Sequence, residues 1–487
     1  MRIAIVHYHL RPGGVTRVIQ NALSALNARG VCSLIFAGEP PSAAMPVPNY
    51  AVVDSLGYHQ PDRTYPSPEA IVKELETTAI HTLGGLPDVW HIHNHALGKN
   101  LILPQVVAHL AHKGHRLLLQ FHDFAEDGRP ENYRFLVDGL CPHQAKTLGA
   151  RLYPQRTHIH YALINQRDLS FLTHSGAAAS RLHYLPNAVS MEVAREPAPS
   201  QGQQTAHRVF FYPVRGIRRK NIGEFLLWST RAQENESFAI ARAPQNPAAR
   251  PIYDDWVAFA QAQRLPVTFS VGEQWQGEFS ALLESAYALV TTSVAEGFGL
   301  AFLEPWLIPR PLVGRNLPEI TAALTQSGVD LSCLYRRIEI PLEWVGKQRF
   351  RQEVAASLHA VYEAYNRKVS AETIEAAIAE AVQTNRVDFG RLNEPLQKVV
   401  IERLNHSPSL WSAVSPSDLM PAPTQDATLR SNREAVLEHF NLDAYGERLM
   451  HIYRTVAASV PESLDELDAD KLLDQFLAPQ RFYLLRT

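Results

Sequence analysis

The chain has 487 residues, 46% hydrophobic and 20% charged, the composition of a folded globular protein of about three domains, or two large ones with an extension. Its 46 Lys and Arg against 49 Asp and Glu give a formal net charge of −3, so there is no basic field to hold nucleic acid or an anionic membrane non-specifically. Cys32, Cys141 and Cys333 are too few and scattered for a disulfide framework or a CxxC zinc pair, the apolar run Ile3–Val6 is too short for a signal peptide, and no 18-residue apolar run exists; the expectation is a cytoplasmic protein without an integral membrane segment.

Arg2–His7 reads as a buried strand. The turn Arg11-Pro12-Gly13-Gly14 follows, then helical spacing of apolar residues over Val15–Arg29. Further strands are expected at Val31–Ala37, Val89–His93, Arg116–His122 and Thr157–Ile164, with helical patterns over 69–83 and 100–113 between them. Residues 194–207, polar and rich in Pro, Gln and Ala, read as a linker. A second series begins beyond it. Strands are expected at Arg208–Pro213, Ser237–Arg242, Val267–Val271 and Ala288–Thr292, and helices at Gly223–Gln233, Pro251–Gln263 and Phe279–Tyr287, with another opening at Gly299–Trp306. Residues 343–404 read as predominantly helical, 406–428 as a Pro/Ser/Thr-rich loop, and 431–457 and 464–477 as helices. Alternating strands and helices build parallel sheets, so the expected fold is α/β with two Rossmann-like, doubly wound domains facing a cleft, plus extra C-terminal helices. The expected domains are 1–193, a linker 194–207, 208–405, a loop 406–430 and helices over 431–487.

The sharpest motif is Glu296-Gly297-Phe298-Gly299-Leu300-Ala301-Phe302-Leu303-Glu304, after the strand ending at Thr292. Glycines at such a corner let backbone approach a ligand, a helix starting there favours phosphate, and each carboxylate can accept paired hydrogen bonds from a vicinal diol. An ordinary strand–loop–helix corner with two surface acids is the plain alternative. The pattern resembles the donor-site motif of retaining GT-B glycosyltransferases, family 4 in particular, with the same seven residues between the acids. The resemblance implies that Glu296 contacts hydroxyls of the donor sugar and Glu304 the ribose, with Gly297, Phe298, Gly299 and Leu300 lining the donor.

A second feature, Arg215-Gly216-Ile217-Arg218-Arg219-Lys220, follows the first strand of the second half. A guanidinium fork and an ammonium suit a diphosphate, whereas a solvated charge run is the plain alternative. The resemblance assigns Arg215 and Lys220 to the leaving diphosphate, with Arg218 and Arg219 as rivals, and brings Gly13 and Gly14 to the donor phosphates from the N-terminal, acceptor-side half. Histidines gather at strand ends: His7, His9, His91, His93, His95, His122, His158 and His160. HxHxH invites a metal site but lacks clear acidic partners, and the plain reading is polar residues satisfied at the sheet edge. The resemblance points to His122 beside Asp123, then His93, for acceptor or donor-sugar contacts. Leu185–Val189 and Asn165, a candidate helix cap, read as structural.

The chain departs from the family after Glu304, where Trp306-Leu307-Ile308-Pro309-Arg310-Pro311-Leu312 replaces a small-residue stretch, and at 314–319, which lacks a glycine pair. The implied activity is a hexosyltransferase moving a sugar from a nucleotide-sugar co-substrate to an acceptor hydroxyl with retention. It would be metal-independent, Arg and Lys being able to take the place of Mg²⁺, which is left open but not implied, with no bound cofactor. The acceptor is left open among small molecules, glycans and lipid-linked sugars. The alternatives are a GT-B phosphorylase using free phosphate and a non-catalytic nucleotide-sugar binding protein. Terminal helices of GT-B proteins often return to the first domain, and 431–457 are placed to do so.

Overall fold

The computed structural model describes residues 1–43, 46–142, 147–189, 207–308, 310–420 and 426–486. The expected linker lies outside them except for His207, as do residues 421–425 of the expected loop. In chain order the elements are β1 (Arg2–His7), α1 (Gly14–Asn27), β2 (Cys32–Ala37), β3 (Tyr50–Val52), α2 (Pro68–Leu83), β4 (Val89–His93), α3 (Ile102–His112), β5 (Leu117–Phe121), α4 (Pro130–Leu140), α5 (Leu148–Leu152), β6 (Ile159–Leu163), α6 (Gln166–His174) and β7 (Leu182–Tyr184). The second series is β8 (Arg208–Arg215), α7 (Ile222–Ser229), β9 (Glu236–Arg242), α8 (Arg250–Ala262), β10 (Val267–Thr268), α9 (Val271–Gln274), α10 (Phe279–Ser285), β11 (Ala288–Thr291), β12 (Leu312–Gly314) and α11 (Pro318–Gln326). Then come β13 (Glu339–Pro341), α12 (Lys347–Ala364), α13 (Ala371–Ala381), β14 (Val382–Gln383), β15 (Arg386–Asp388), α14 (Glu394–His406), α15 (Asp426–His439), α16 (Leu442–Ala458) and α17 (Ala469–Phe476).

The chain divides into two compact units, Met1–Ala188 with His439–Leu477, and Val189–Glu438 with Ala478–Thr487. The first is built on a parallel sheet of order β3-β2-β1-β4-β5-β6-β7. Its central strands are buried on both faces, which is why they read as mostly apolar runs, with His91 and His93 of β4 and Gln120 of β5 as buried polar exceptions. The stripe Val18, Ile19, Ala22, Leu23 and Leu26 of α1 shares its core with Tyr445, Leu449, Ile452, Tyr453 and Val456 of α16. α17 docks on α6 through the Asp468 amide to the Ser175 carbonyl (2.8 Å) and Gln475 Nε2 to Ser175 Oγ (2.9 Å).

The second unit holds a parallel sheet of order β10-β9-β8-β11-β12 and a small antiparallel sheet of order β13-β15-β14. β14 and β15 turn through Thr384 and Asn385, both with positive φ (49° and 60°), which matches the right-handed strand twist. These short strands interrupt the region that reads as helical over 343–404. A larger correction falls at Gly299–Trp306. No α-helix opens there; the chain makes two 3₁₀ turns, Leu300–Phe302 and Glu304–Leu307. Pro305 has no N–H for the carbonyl of Ala301, and its ring would clash with that carbonyl, so a helix begun at Gly299 cannot propagate. The strand expected at 267–271 likewise stops at Thr268, because Ser270 takes a left-handed φ of 57° and turns the chain into α9.

Among the described residues no helix is long and apolar enough to cross a membrane.

Candidate functional site

In a doubly wound sheet, ligands sit beyond the carboxyl ends of the strands where the winding reverses. In the second unit the chain runs β8, β9, β10 to one side and returns to place β11 on the other side of β8. The reversal point is flanked by the loops after β8 and β11, which carry Arg215–Asn221 and Thr292–Gly299.

The two loops are bound to each other. Tyr212 donates to the Lys220 carbonyl (3.0 Å), and its oxygen lies 2.8 Å from Ser293 Oγ. Thr292 Oγ1 donates to the carbonyls of Lys220 (3.0 Å) and Asn221 (3.1 Å), and the Val294 amide to that of Arg219 (3.0 Å). Asn221 holds a left-handed φ of 52°; its Nδ2 donates to Glu224 Oε2 and its Oδ1 accepts from Gln397 Nε2, each at 2.8 Å. Gly216 is fixed by close approach, since a Cβ would lie 2.4 Å from the ring of Tyr253. Gly299 needs its glycine for a φ of 90°.

On this frame Lys220 Nζ is hydrogen-bonded to Glu296 Oε1, and Arg219 Nη1 reaches Glu296 Oε2 at 3.4 Å. The Lys220 and Glu296 side chains are 13% and 9% exposed, so this ion pair is largely withdrawn from water. Burial alone would raise the Glu296 carboxyl, but the Lys220 ammonium and then Arg219 more than reverse this and hold it below its ordinary value; burial lowers Lys220. The other cations separate by role. Arg218 forms a two-bond pair with Glu394 (2.6 and 3.0 Å) and is committed to the wall of a small pocket with Trp256, Gln397 and Leu485. Arg215, exposed at the end of β8, pairs with no carboxylate among the described residues. Phe298 is buried, Gly297 and Leu300 are half-buried, and Glu304 is half-buried at the start of its 3₁₀ turn.

The first unit winds the same way, with its reversal between β1 and β4. Gly13 and Gly14 open α1. A Cβ on Gly13 would meet only the Arg11 carbonyl, at 3.9 Å, and one on Gly14 nothing within 4 Å, so the fold itself does not require glycine at either place. α1 begins with no side-chain cap and no acid in its first turn.

The histidines divide into separate bonds. His93 Nδ1 lies 2.9 Å from His122 Nε2; His91 joins Gln120 (2.8 Å) and Tyr453 (2.7 Å); His95 bonds the Leu152 carbonyl (2.7 Å), His158 the Ala111 carbonyl (2.9 Å) and His160 His183 (2.8 Å). Their rings also meet, His91 stacked on His93 (4.3 Å), His93 on His122 (5.2 Å) and His7 edge-on to His93 (6.1 Å), but among the described residues no group of three or more His, Cys, Asp or Glu is placed to hold a metal ion. His122 and His93, the two singled out from the sequence, are brought together. Burial, reinforced by neighbouring imidazoles, drives His122 to about 3 and His93 well below its ordinary value, so both are neutral at pH 7. Asn165 caps α6, accepting from the Asp168 amide at 2.8 Å. Sequence reasoning missed Tyr212, Thr292, Ser293, Asn221 and Gln397; the available signal was Glu224, a lone acid in the otherwise apolar IGEFLLWS.

No protein-family model matches the chain. It is 26% identical over 337 residues to mannosylglucosyl-3-phosphoglycerate synthase of Petrotoga mobilis, a match covering 65% of each chain and so a little under two thirds of that relative. Among solved structures it resembles sucrose-phosphate synthase of Thermosynechococcus elongatus (14% identity, 93% of this chain and 98% of that one, TM-score 0.51). It equally resembles Anabaena HepE in complex with UDP-glucose (13% identity, 93% and 98%, TM-score 0.51). The chain has the GT-B glycosyltransferase fold. In GT-B terms each Rossmann-like unit presents one reversal point, and the second carries the paired Lys220 and Glu296.

Proposed function

We propose that the chain is a retaining glycosyltransferase that moves a hexosyl group from a nucleotide-sugar donor to an acceptor hydroxyl without a metal ion. The observation that carries this reading is the buried Lys220–Glu296 pair at the reversal point of the second unit. There a carboxylate suited to sugar hydroxyls is held against a cation suited to a diphosphate. The Petrotoga relative named as a synthase and the UDP-glucose held by Anabaena HepE support it.

In this reading Glu296 accepts hydrogen bonds from the donor sugar, and Glu304 from the ribose. As the anomeric carbon–oxygen bond breaks, Lys220 and Arg215 stabilise the charge gathering on the departing diphosphate. The loop 297–300 opens no long helix, so on this side of the donor the stabilisation rests on the cations. The neutral imidazole of His122 supplies a sugar contact. The departing phosphate oxygen takes the acceptor proton on the face it leaves, which retains configuration without a protein nucleophile. Gly13 and Gly14 bring free N–H groups of α1 to donor phosphate.

The test follows transfer from UDP-glucose, GDP-mannose and ADP-glucose by NMR, reading the anomeric configuration of the product. Glu296→Gln, which keeps the side-chain volume, is expected to lower the rate by about 10²–10³ while nucleotide still raises the melting temperature. Activity should survive EDTA. An inverted product, or phosphate-dependent release of sugar 1-phosphate, would replace this reading. Gly13→Ala should move stability by less than about 0.5 kcal/mol, since the added methyl makes only an ordinary contact with the Arg11 carbonyl, yet weaken nucleotide binding at least tenfold by calorimetry. Unchanged affinity would remove the loop from the donor site.

A further inference from the structure

On the first unit, the segment after β3 and the loop after β4 are tied together. The His59 amide donates to the Lys99 carbonyl (2.7 Å), and Asn100 Nδ2 to the carbonyls of Ser55 (2.9 Å) and Gly57 (2.5 Å). This places Tyr58 beside Lys99 and beside His9 of the loop after β1. The Tyr58 ring is 43% exposed, edge-on to His9 at 5.0 Å and to Tyr8 at 5.7 Å. Its hydroxyl lies 3.1 Å from His9 Nε2, and Lys99 Nζ stands 5.9 Å from its centroid.

The charges around Tyr58 do not cancel. Glu39 and Asp123, the carboxylates whose fields it feels, are each held by an arginine: Arg11 to Glu39 at 2.9 Å and Arg129 to Asp123 at 2.5 Å. Lys99, half-buried, donates only to the neutral Asn132 Oδ1 at 3.2 Å and pairs with no carboxylate among the described residues. Burial and then Arg11 lower His9, leaving it neutral at pH 7. The cluster therefore offers an aromatic face, two neutral hydrogen-bonding groups and one uncompensated ammonium. Sugar C–H faces pack on such a ring, their hydroxyls exchange hydrogen bonds with phenol and imidazole, and the ammonium asks for an anion.

We propose that His9, Tyr58 and Lys99 form the acceptor subsite and that the acceptor is an anionic sugar bearing phosphate or carboxylate. That this ligand is the acceptor rests on the transfer reading above; the binding itself does not.

The test is calorimetric titration without nucleotide, using glucose 6-phosphate, glucuronate, glucose and inorganic phosphate as probes. At least one of the two anionic sugars should bind ten times more tightly than glucose or inorganic phosphate; which one does so names the acid. Lys99→Met should remove that advantage and Lys99→Arg restore most of it. Tyr58→Ala should weaken charged and neutral sugars by a similar factor with an unchanged melting temperature. Three results would overturn the subsite: neither anionic sugar surpassing glucose, an advantage that survives Lys99→Met, or inorganic phosphate binding as tightly as glucose 6-phosphate. UDP-glucose is titrated in parallel, so that its failure to bind counts against the transfer reading alone.

Discussion

Lowering the pH from 7 to 5 is expected to open the first unit well before the second. His7, His91, His93, His95 and His122 lie within the first unit, each less than a tenth exposed. Burial, first among the causes, brings His91 and His95 to about 4 and His7 and His122 to about 3, and takes His93 well below its ordinary value. The unfolded chain takes up protons near pH 6.5 while the fold still refuses them. The stability these groups contribute is thus complete above 6.5 and lost as pH falls from 6.5 towards 4, at about 1.4 kcal/mol per pH unit for each imidazole. Glu126 works the other way: burial raises it to about 7, so its penalty is relieved as pH falls towards 4.5, and burial raises Asp168 in the same sense, but these are two groups against five. The second unit's described histidines, His207, His359 and His406, are exposed rather than buried. Hydrogen exchange resolved by peptide at pH 7, 6 and 5 separates the units. Equal protection of β4 and β5 at all three values would mean that these imidazoles are charged in the fold.

The same strands show what could be read from sequence. β1, β4, β5 and β6 were legible because a parallel strand buried on both faces is mostly apolar, His91, His93, Gln120 and His160 being the buried polar exceptions, and the α1 stripe because only one face of that helix meets the core. Glu296 and Lys220 were legible as motif positions, each fixed by its own strand end. Their pairing was not, because it joins residues 76 apart. The network behind them was still less legible: Asn221 meets Gln397 across 176 positions and Glu224 meets Arg315 across 91, separations at which no local periodicity exists. Pro305 was the reverse case. The residue that stops a helix after Gly299 stands in plain view, and the motif's usual context outweighed it. Tyr58 and Lys99 carry no pattern of their own; a carbonyl–amide bond between two loops creates their proximity.

Arg315→Met is expected to destabilise the second unit by more than about 4 kcal/mol. The Arg315 guanidinium donates through Nε and Nη2 to Glu224 (2.9 and 2.6 Å) and through Nη1 and Nη2 to Asp388 (3.0 and 2.8 Å), and all three side chains are at most 2% exposed. Methionine fills much of the volume but leaves two buried carboxylates without the guanidinium they share, with only the more distant Arg391 and Arg337 still acting on Asp388. Urea denaturation should show the loss, and adding Glu224→Gln with Asp388→Asn should recover part of it, because the neutral amides no longer repel. The network also ends at the loop after β8: Glu224 Oε2 holds Asn221, whose left-handed backbone turns the Lys220 carbonyl to Tyr212 and Thr292. Glu224→Gln alone, in a background that remains folded, is therefore expected to weaken nucleotide binding by about tenfold, the loss of one hydrogen bond to a charged group. Unchanged nucleotide affinity would mean that the bonds from Tyr212 and Thr292 suffice to place Lys220, and that the buried arginine serves the stability of the unit alone.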